Sequence, residues 1–412
     1  MDRVGSSPDK PATDADRVAH RPPSDAPAPA IVIVAYDRPR TLVRLLGSLK
    51  QIRIPTGEDV PLVISIDDSV GATMEVAHRY DWPFGPKRII GHKTLLGLRA
   101  HVLACGDLTT EYGSIMMLED DLYASPDVYR YAQAAATFYG SIDSVAGIST
   151  YAYRLDELLL LAFHPLDDGF DTLFMQMPSS WGQLWTVEQW ARFRSWQRSS
   201  QPISPGRLPR QAAEWPPEKS WKRSFLEYLI DTDRYFAFPR ASLTSNCGDA
   251  GEHFRRATIN FTTPLAYGPR DWRFAPWSER AIRYDAWFEP HPDTIALRWP
   301  DFGGSDITVD LRGSKQPKHV TTSRLLSSRP SSEPDVSFPM LLQPEALNLD
   351  LPGQGAFFHL GPSSSFGELP PWKRRRMIEA LNGEIGSSVA RGILLDRTIR
   401  RLRRDWSDWR TE

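Results

Sequence analysis

Three adjacent carboxylates, Glu119-Asp120-Asp121, close the apolar run Ser114-Ile115-Met116-Met117-Leu118. A short apolar run between polar flanks reads as a strand buried on both faces. Neighbouring carboxylates repel one another unless something cationic sits among them. In open α/β sheets, ligands gather at the carboxyl ends of the strands. These residues therefore suit a divalent cation held by oxygen ligands and carrying a phosphorylated substrate. The structural alternative is an acidic start to the next helix, with Ser125 as N-cap and Pro126 in the first turn.

Other polar residues stand where they would join such a site. Tyr36-Asp37-Arg38 closes the run Ala30–Tyr36, and Asp67-Asp68 follows Pro61–Ile66. Either Asp67 or Asp68 suits a hydrogen bond from a base or ribose, or equally a turn. Arg99 suits a diphosphate, an acidic partner on the same edge, or a solvated helix face. His253 ends a polar, glycine-containing loop, 242–253, that also holds Asp249 and Glu252. A histidine in a loop of this composition suits a metal or phosphate contact in a ligand-closing segment. Six tryptophans lie between Trp181 and Trp221. Aromatic faces are platforms for sugar rings and equally good core. Most are expected in the core, with Trp181 and Trp185 the candidates for a cleft.

The elements that must position these residues alternate. Leu42, Leu45, Leu46 and Leu49 recur at helical spacing between the runs 30–36 and 61–66, which predicts a βαβ unit with parallel strands. Arg88-Ile89-Ile90 is a short third strand, and a helix runs through Val102, Leu103 and Leu108. A helix from Pro126 carries Val128, Tyr131, Ala135 and Phe138 on one face. Val145–Ser149 is a strand and 151–180 is irregular. Thr186 caps a helix over 187–196, and Tyr235–Pro239 is a strand. Further on, 294–298 and 355–359 look strand-like around a Ser/Arg/Pro/Lys-rich linker or loop, 313–336. Residues 372–412 read as helical and basic, with eleven basic against six acidic residues. Leu395, Ile399, Leu402 and Trp406 form an apolar stripe there. Such a helix docks on its own domain, on a partner, or on an anionic membrane surface. The expected organisation is a disordered tail (1–28), an α/β domain (29–290), a β-rich or irregular appendage (291–371) and a basic amphipathic helical tail (372–412).

Composition narrows the function classes. A formal net charge of −2 over 412 residues gives no reason to expect nucleic-acid binding. An apolar fraction of 41% supports a true core. Two cysteines, Cys105 and Cys247, lack metal-type spacing and fit a reducing compartment. No run reaches the length of a spanning helix, and no signal-peptide core is present. A cytoplasmic protein, with membrane contact through its basic tail as an option, is the expectation.

In chain order, Ile31–Arg38, Ser65-Ile66-Asp67-Asp68, Leu96–Arg99, Leu118–Leu122 with Ser125-Pro126-Asp127, Ser180-Trp181-Gly182, and Pro239–Leu243 leading to Asn246 and His253 resemble nucleotide-sugar-dependent glycosyltransferases of the GT-A fold. The resemblance is to the bacterial family-2 type and, more distantly, to the N-acetylglucosaminyltransferase I type, over about residues 30–260. It implies a Rossmann-like, mostly parallel sheet with helices on both faces. It implies that Asp121 ligates Mn2+ or Mg2+ on the donor diphosphate, that Asp120 faces the ribose or donor sugar, and that Asp67 contacts the base. Asp37, Arg38 and Arg99 would line the nucleotide site beside Tyr36, Asp68 and Glu119. His253 would lie near the phosphates, as a second metal contact. The donor would be a nucleoside diphosphate sugar, hexosyl or N-acetylhexosaminyl, and the acceptor a glycan, a lipid-linked glycan or another hydroxyl in surface polysaccharide or glycoconjugate assembly.

The sequence departs from that family at one point. Where the N-acetylglucosaminyltransferase type carries an acidic base segment, this chain reads Lys219-Ser220-Trp221-Lys222-Arg223. Glu218, Asp249 and Glu252 are the remaining candidates for a base. The altered segment keeps open a non-catalytic carbohydrate-binding or scaffold protein on a transferase fold. A sugar-1-phosphate nucleotidyltransferase would need a glycine-rich basic loop after the first strand. Ala35-Tyr36-Asp37-Arg38-Pro39-Arg40 stands there instead.

Overall fold

The structure, a computed structural model, describes residues 28–68, 70–199, 203–249, 257–278 and 280–383. In chain order the elements are β1 (Ala30–Ala35), α1 (Pro39–Leu49), β2 (Leu62–Ile66), α2 (Ala72–Arg79), β3 (Lys87–Gly91), α3 (Leu98–Asp107), α4 (Thr109–Tyr112), β4 (Ser114–Glu119), β5 (Leu122–Ala124), α5 (Val128–Tyr139), β6 (Val145–Ser149), β7 (Thr172–Met175), β8 (Gln183–Thr186) and α6 (Val187–Ser199). They continue with α7 (Arg210–Ala213), α8 (Trp221–Asp231), β9 (Tyr235–Pro239), β10 (Thr244–Asn246), β11 (Arg283–Tyr284), α9 (Pro292–Arg298), β12 (Ile307–Asp310), β13 (Arg324–Ser327), β14 (Val336–Phe338), β15 (Phe358–Pro362) and α10 (Pro371–Asn382).

The β-branched run of β1 is buried along its whole length, as a central parallel strand must be. α1 starts on Pro39, whose fixed φ suits a first helical turn, and lays Leu42, Leu45, Leu46 and Leu49 into the core. The main sheet has nine strands in the order β11-β7-β9-β6-β8-β4-β1-β2-β3. β4, β1, β2 and β3 are mutually parallel. β8 is antiparallel to both β4 and β6, so β6 runs the same way as β4. β9 is parallel to β6. The carboxyl ends of β1, β2, β4, β6 and β9 therefore share one edge, and β8 begins there. A short turn reverses the chain between α8 and β9, which puts the first turn of α8 at that edge too.

Thr186 caps α6 as expected. Its hydroxyl accepts the Gln189 N–H (3.3 Å), and the Gln189 side chain accepts the Thr186 N–H (3.1 Å), a reciprocal capping box. An aromatic core forms where Trp185 meets Trp190, Trp221, Phe225 and Phe236.

Several expectations need correction. Ser125 does not cap α5. Asp127 is its N-cap residue, and the Ser125 hydroxyl instead bonds Ala266 O and accepts the Asp127 N–H. The irregular stretch 151–180 contains β7, antiparallel to β9. The polar loop 242–253 contains β10, paired antiparallel with β5. Residues 294–298 are helical: Pro292 opens α9, and His291 Nδ1 accepts the Asp293 N–H. The stretch 313–336 is not merely a linker. β13 lies within it, in a second sheet of order β12-β13-β15-β14. Its polar composition misleads because its charges are consumed internally. Lys315 is buried against Asp285 at 2.6 Å, and Arg329 pairs with the buried Asp310 at 3.4 Å.

The second sheet is fastened to the first domain by Arg312. Its guanidinium is buried between Asp156 (3.0 Å) and Glu345 (2.9 Å) and also donates to Ala162 O (3.1 Å). Among the described residues no helix is long and apolar enough to cross a membrane. α10 accounts for the start of the expected basic helix. Residues 384–412, with the apolar stripe and the membrane option, lie outside the described residues, as does most of the expected N-terminal tail.

Candidate functional site

The shared carboxyl edge collects the acidic triplet, the residues after β1 and those after β2. β4 carries Glu119 to its last position, and Asp120 and Asp121 turn out of the strand into β5. The Asp120 N–H donates to Val34 O (3.1 Å), which holds the turn against β1. Arg38, one turn past β1, reaches across to both aspartates. Its Nη2 pairs with Asp120 Oδ1, and its Nη1 lies 3.0 Å from Asp121 Oδ2. Arg44 of α1 pairs with Asp249 and also reaches the Asp121 main-chain oxygen (3.5 Å).

The electrostatics follow from burial. Asp120 is 1% exposed. Burial raises its pKa to about 6, against the pull of Arg38, with Asp121 adding to the rise. Burial, and then Asp121, hold Glu119 well above the usual carboxylate range, at about 8, while Arg38 and Lys222 oppose them. Burial works against the Arg38 charge, but Asp120 and Asp121 outweigh it and raise its pKa. Asp249 is lowered, first by its hydrogen bond from Arg44.

Each aspartate that Arg38 touches keeps one oxygen buried without a partner: Asp120 Oδ2 and Asp121 Oδ1. The Nε atoms of Arg44 and Arg99 are buried and unpartnered as well, as is the Gln183 amide. Buried polar atoms rarely go unpaired, and several along one sheet edge leave room for a polar ligand. A hard divalent cation is commonly held by one or two carboxylates and completed by phosphate and water. The two free aspartate oxygens fit that demand. Among the described residues no group of three or more His, Cys, Asp or Glu is arranged to hold a metal by itself, so phosphate and water would have to supply the remaining ligands.

The other sequence candidates fall as follows. Tyr36 is 42% exposed beside Asp37, open to a ligand. Asp67 is buried, and its two oxygens accept the N–H groups of Leu96 (2.7 Å) and Gly97 (2.8 Å). It thus fixes the entry to α3, where Gly97 takes a positive φ of 76°, and thereby places Arg99 in that helix's first turn. Asp68 accepts the Val70 N–H (3.2 Å). Trp181 is 8% exposed and stacks on Phe261 with ring centroids 4.5 Å apart. Trp185 is wholly buried and presents no face to a cleft. As a sugar platform it is corrected to core. Gly182, at φ 103°, sets the two apart: a Cβ there would strike the hydroxyls of Thr150 and Thr244. Glu218 is exposed on the turn before α8, and Asp249 is engaged by Arg44. Glu252 and His253 lie outside the described residues.

One cluster at this edge escaped the sequence. Lys222, in the first turn of α8, pairs with both oxygens of Glu157 at 2.6 and 2.7 Å. The Tyr153 hydroxyl donates to Glu157 Oε1 (3.0 Å). Both charged side chains are about nine-tenths enclosed. The Lys222 ammonium stands 5.3 Å from the Trp181 ring centre. The lysine in an acidic position was visible in the sequence; its partner, 65 residues earlier, was not.

No protein-family model matches the chain, and no curated protein matches it in sequence. Comparison with solved structures finds TarS of S. aureus at 13% identity and TM-score 0.32, over 52% of this chain and 36% of that one. A shorter TarS structure in complex with UDP-GlcNAc matches at 13% identity and TM-score 0.35, over 54% and 60%. The mannosyltransferase PcManGT from Pyrobaculum calidifontis, in complex with GDP-Man and Mn2+, matches at 10% and 0.35, over 56% and 60%. The chain thus spans between about a third and three fifths of the length of these proteins. The likeness is one of chain path at low identity and low score, and it carries none of the chemistry.

Proposed function

We propose that this chain is a divalent-cation-dependent glycosyltransferase. It would move a hexosyl or N-acetylhexosaminyl group from a nucleoside diphosphate sugar to a hydroxyl of a glycan, a lipid-linked glycan or a related acceptor. The observation that carries the proposal is the acidic turn after β4, with Asp120 Oδ2 and Asp121 Oδ1 buried and unpartnered beside the Arg38 guanidinium. Asp121 and Asp120 would hold Mn2+ or Mg2+, which when bound supplies positive charge to the departing diphosphate. Arg38 and Arg99, at the ends of β1 and at the start of α3, would bind phosphate oxygens as fixed donors. Tyr36 and Asp68 would line the nucleoside, and Trp181 would floor the sugar side. Asp67 would act by holding the 96–97 backbone that presents Arg99. Surface polysaccharide or glycoconjugate assembly is the setting proposed for such an acceptor.

The test is a panel of UDP-, GDP-, dTDP- and CMP-sugars in thermal-shift assays with and without Mn2+, followed by a nucleotide-release assay. Cation-dependent stabilisation by one nucleoside diphosphate sugar, with release of the nucleoside diphosphate, is expected. Stabilisation without release would instead make the chain a binding protein on this fold.

A further inference from the structure

A cavity of about 60 Å³ opens at the carboxyl end of β9, away from the acidic turn. That is several times the space one water requires. Its walls are residues 152–154 after β6, the loop residues 163–165, Leu173 and Met175 of β7, and Phe238, Pro239 and Arg240 at the end of β9. Leu173 stands opposite Phe238 in the antiparallel β7–β9 pair, so both side chains lie on one face of the sheet. β6 and β8 separate β9 from β4, so three strand spacings, about 14 Å, lie between β9 and the strand of the acidic turn.

The polar groups of the lining are all of one kind. They include Arg154, His164 and Arg240, and no carboxylate. Arg240 is held in place from outside the lining: its Nε donates to Phe170 O (2.8 Å) and its Nη2 to Asp168 (2.8 Å). Among the described residues its Nη1 has no partner, and the side chains of Arg154 and His164 make no hydrogen bond or ion pair. The backbone that carries those two is nonetheless fixed. The Phe163 N–H donates to Arg154 O (2.9 Å), and Leu155 bridges to Ala162. Arg312 pins the same segment through Asp156 and Ala162 O. His164 also lines a smaller cavity beside Arg312 and Glu345.

We propose that this cavity binds the anionic group, carboxylate or phosphate monoester, of a small organic ligand. Guanidinium groups present rigid forks of N–H donors that match both groups, and His164 adds a ring nitrogen to the wall. Phe163, Leu173 and Phe238 offer the rest of the ligand an apolar surface, the usual make-up of a ligand pocket. A neutral ligand would leave the Arg154 charge unmet, and a cation would face two guanidiniums. The two arginines divide the work. Arg240, tied to Asp168 and Phe170 O, is the preset donor at 16% exposure. Arg154, exposed at the rim, is the free charge that selects for an anion. The site goes beyond the transferase proposal and does not depend on it, since it uses neither the acidic turn nor its cation.

The experiment titrates the full chain with glucuronate, glucose 6-phosphate and inorganic phosphate, with glucose as the neutral comparison, and reads binding by calorimetry. No Mn2+ or nucleotide is added. Wild type is expected to bind at least one acidic probe about tenfold or more tightly than glucose. Preference for the two phosphates identifies a phosphate ligand, and preference for glucuronate a carboxylate. Arg154→Gln is expected to weaken the preferred probe by about tenfold, as the loss of a hydrogen-bonded charge should, and Arg154→Glu to abolish its binding. His164→Gln is expected to weaken it as well, and it tests the same wall should an Arg154 variant fold poorly. Wild-type binding of the acidic probes no tighter than that of glucose overturns the proposal. So does binding of the preferred probe that is undiminished in R154E or, where that variant does not fold, in H164Q.

Discussion

Arg38 offers a sharp perturbation because it pairs with both the buried Asp120 and the part-buried Asp121. In Arg38→Met the aliphatic stem is kept and the charge is removed. Asp120 already bears a burial cost, since its pKa of about 6 lies above the ordinary 3.8. That rise corresponds to about 3 kcal/mol at neutral pH. Breaking a fully buried ion pair costs about 3–5 kcal/mol. Arg38 is 31% exposed, so screening reduces the expected cost to about 2 kcal/mol. The sign with pH follows from linkage. A carboxyl whose folded pKa is raised binds its proton more tightly in the folded state, so it favours folding at low pH and opposes it as pH rises. Removing Arg38 raises that folded pKa further. The deficit of the variant is therefore small below about pH 6, where Asp120 is protonated in both folded proteins, and grows as pH rises above that. Thermal unfolding at pH 4.5 and 7.5, with and without Mn2+, reads this directly. R38M is expected to melt about 4 °C or more below wild type at pH 7.5, with the gap narrowing at pH 4.5. Mn2+ is expected to stabilise the variant more than wild type, because it takes up charge that Arg38 otherwise neutralises. A gap independent of pH, or equal stabilisation of both proteins by Mn2+, would refute the role given to Arg38.

Two further predictions concern the frame around the site. His101 is buried, bonded to Ser65 Oγ at 2.7 Å, and held at a pKa of about 4, first by burial. Its folded pKa lies below the unfolded value, so the unfolded chain takes up the proton first. Its contribution to stability is complete above about pH 6.5 and is lost as pH falls towards 4, amounting to about 2 kcal/mol by pH 5. Urea denaturation of wild type and His101→Gln at pH 7.5 and 5 should show the wild type losing that much more between the two values. Arg312→Met strands the buried Asp156 and Glu345 and should cost about 3–5 kcal/mol. The second sheet should loosen first, seen as early amide exchange in β12 and β13.

Much of the acidic sheet edge was legible because its signals are local. The apolar runs of β1, β2 and β4, the leucine spacing of α1 and the Thr186 cap each lie within a few residues. Parallel pairing then places the ends of β1, β2 and β4 on one edge. The Lys222–Glu157 pair joins residues remote in sequence. Glu157 and Lys222 lack local signals, and only the fold makes them neighbours. Trp181 and Trp185 are the same residue type four positions apart and both are buried, but in different surroundings: Trp181 packs on Tyr151 and Phe261, and Trp185 on Trp190 and Phe225. The second sheet was obscured for a different reason. Arg312, Lys315 and Arg329 read as loop residues by composition but are buried against Asp156, Glu345, Asp285 and Asp310. β10 was hidden by its polar residues, since Thr244, Ser245 and Asn246 find their partners within the structure.

The central claim is that the turn after β4 holds a cation and, through it, a nucleoside diphosphate. Calorimetric titration with UDP and GDP, with and without Mn2+, in wild type and Asp121→Ala tests it directly. Wild type is expected to bind one of the two nucleotides in the presence of Mn2+ at least about tenfold more tightly than in its absence, about 1.4 kcal/mol, with that gain abolished in D121A. Binding of equal strength with and without Mn2+, undiminished by D121A, would contradict the account.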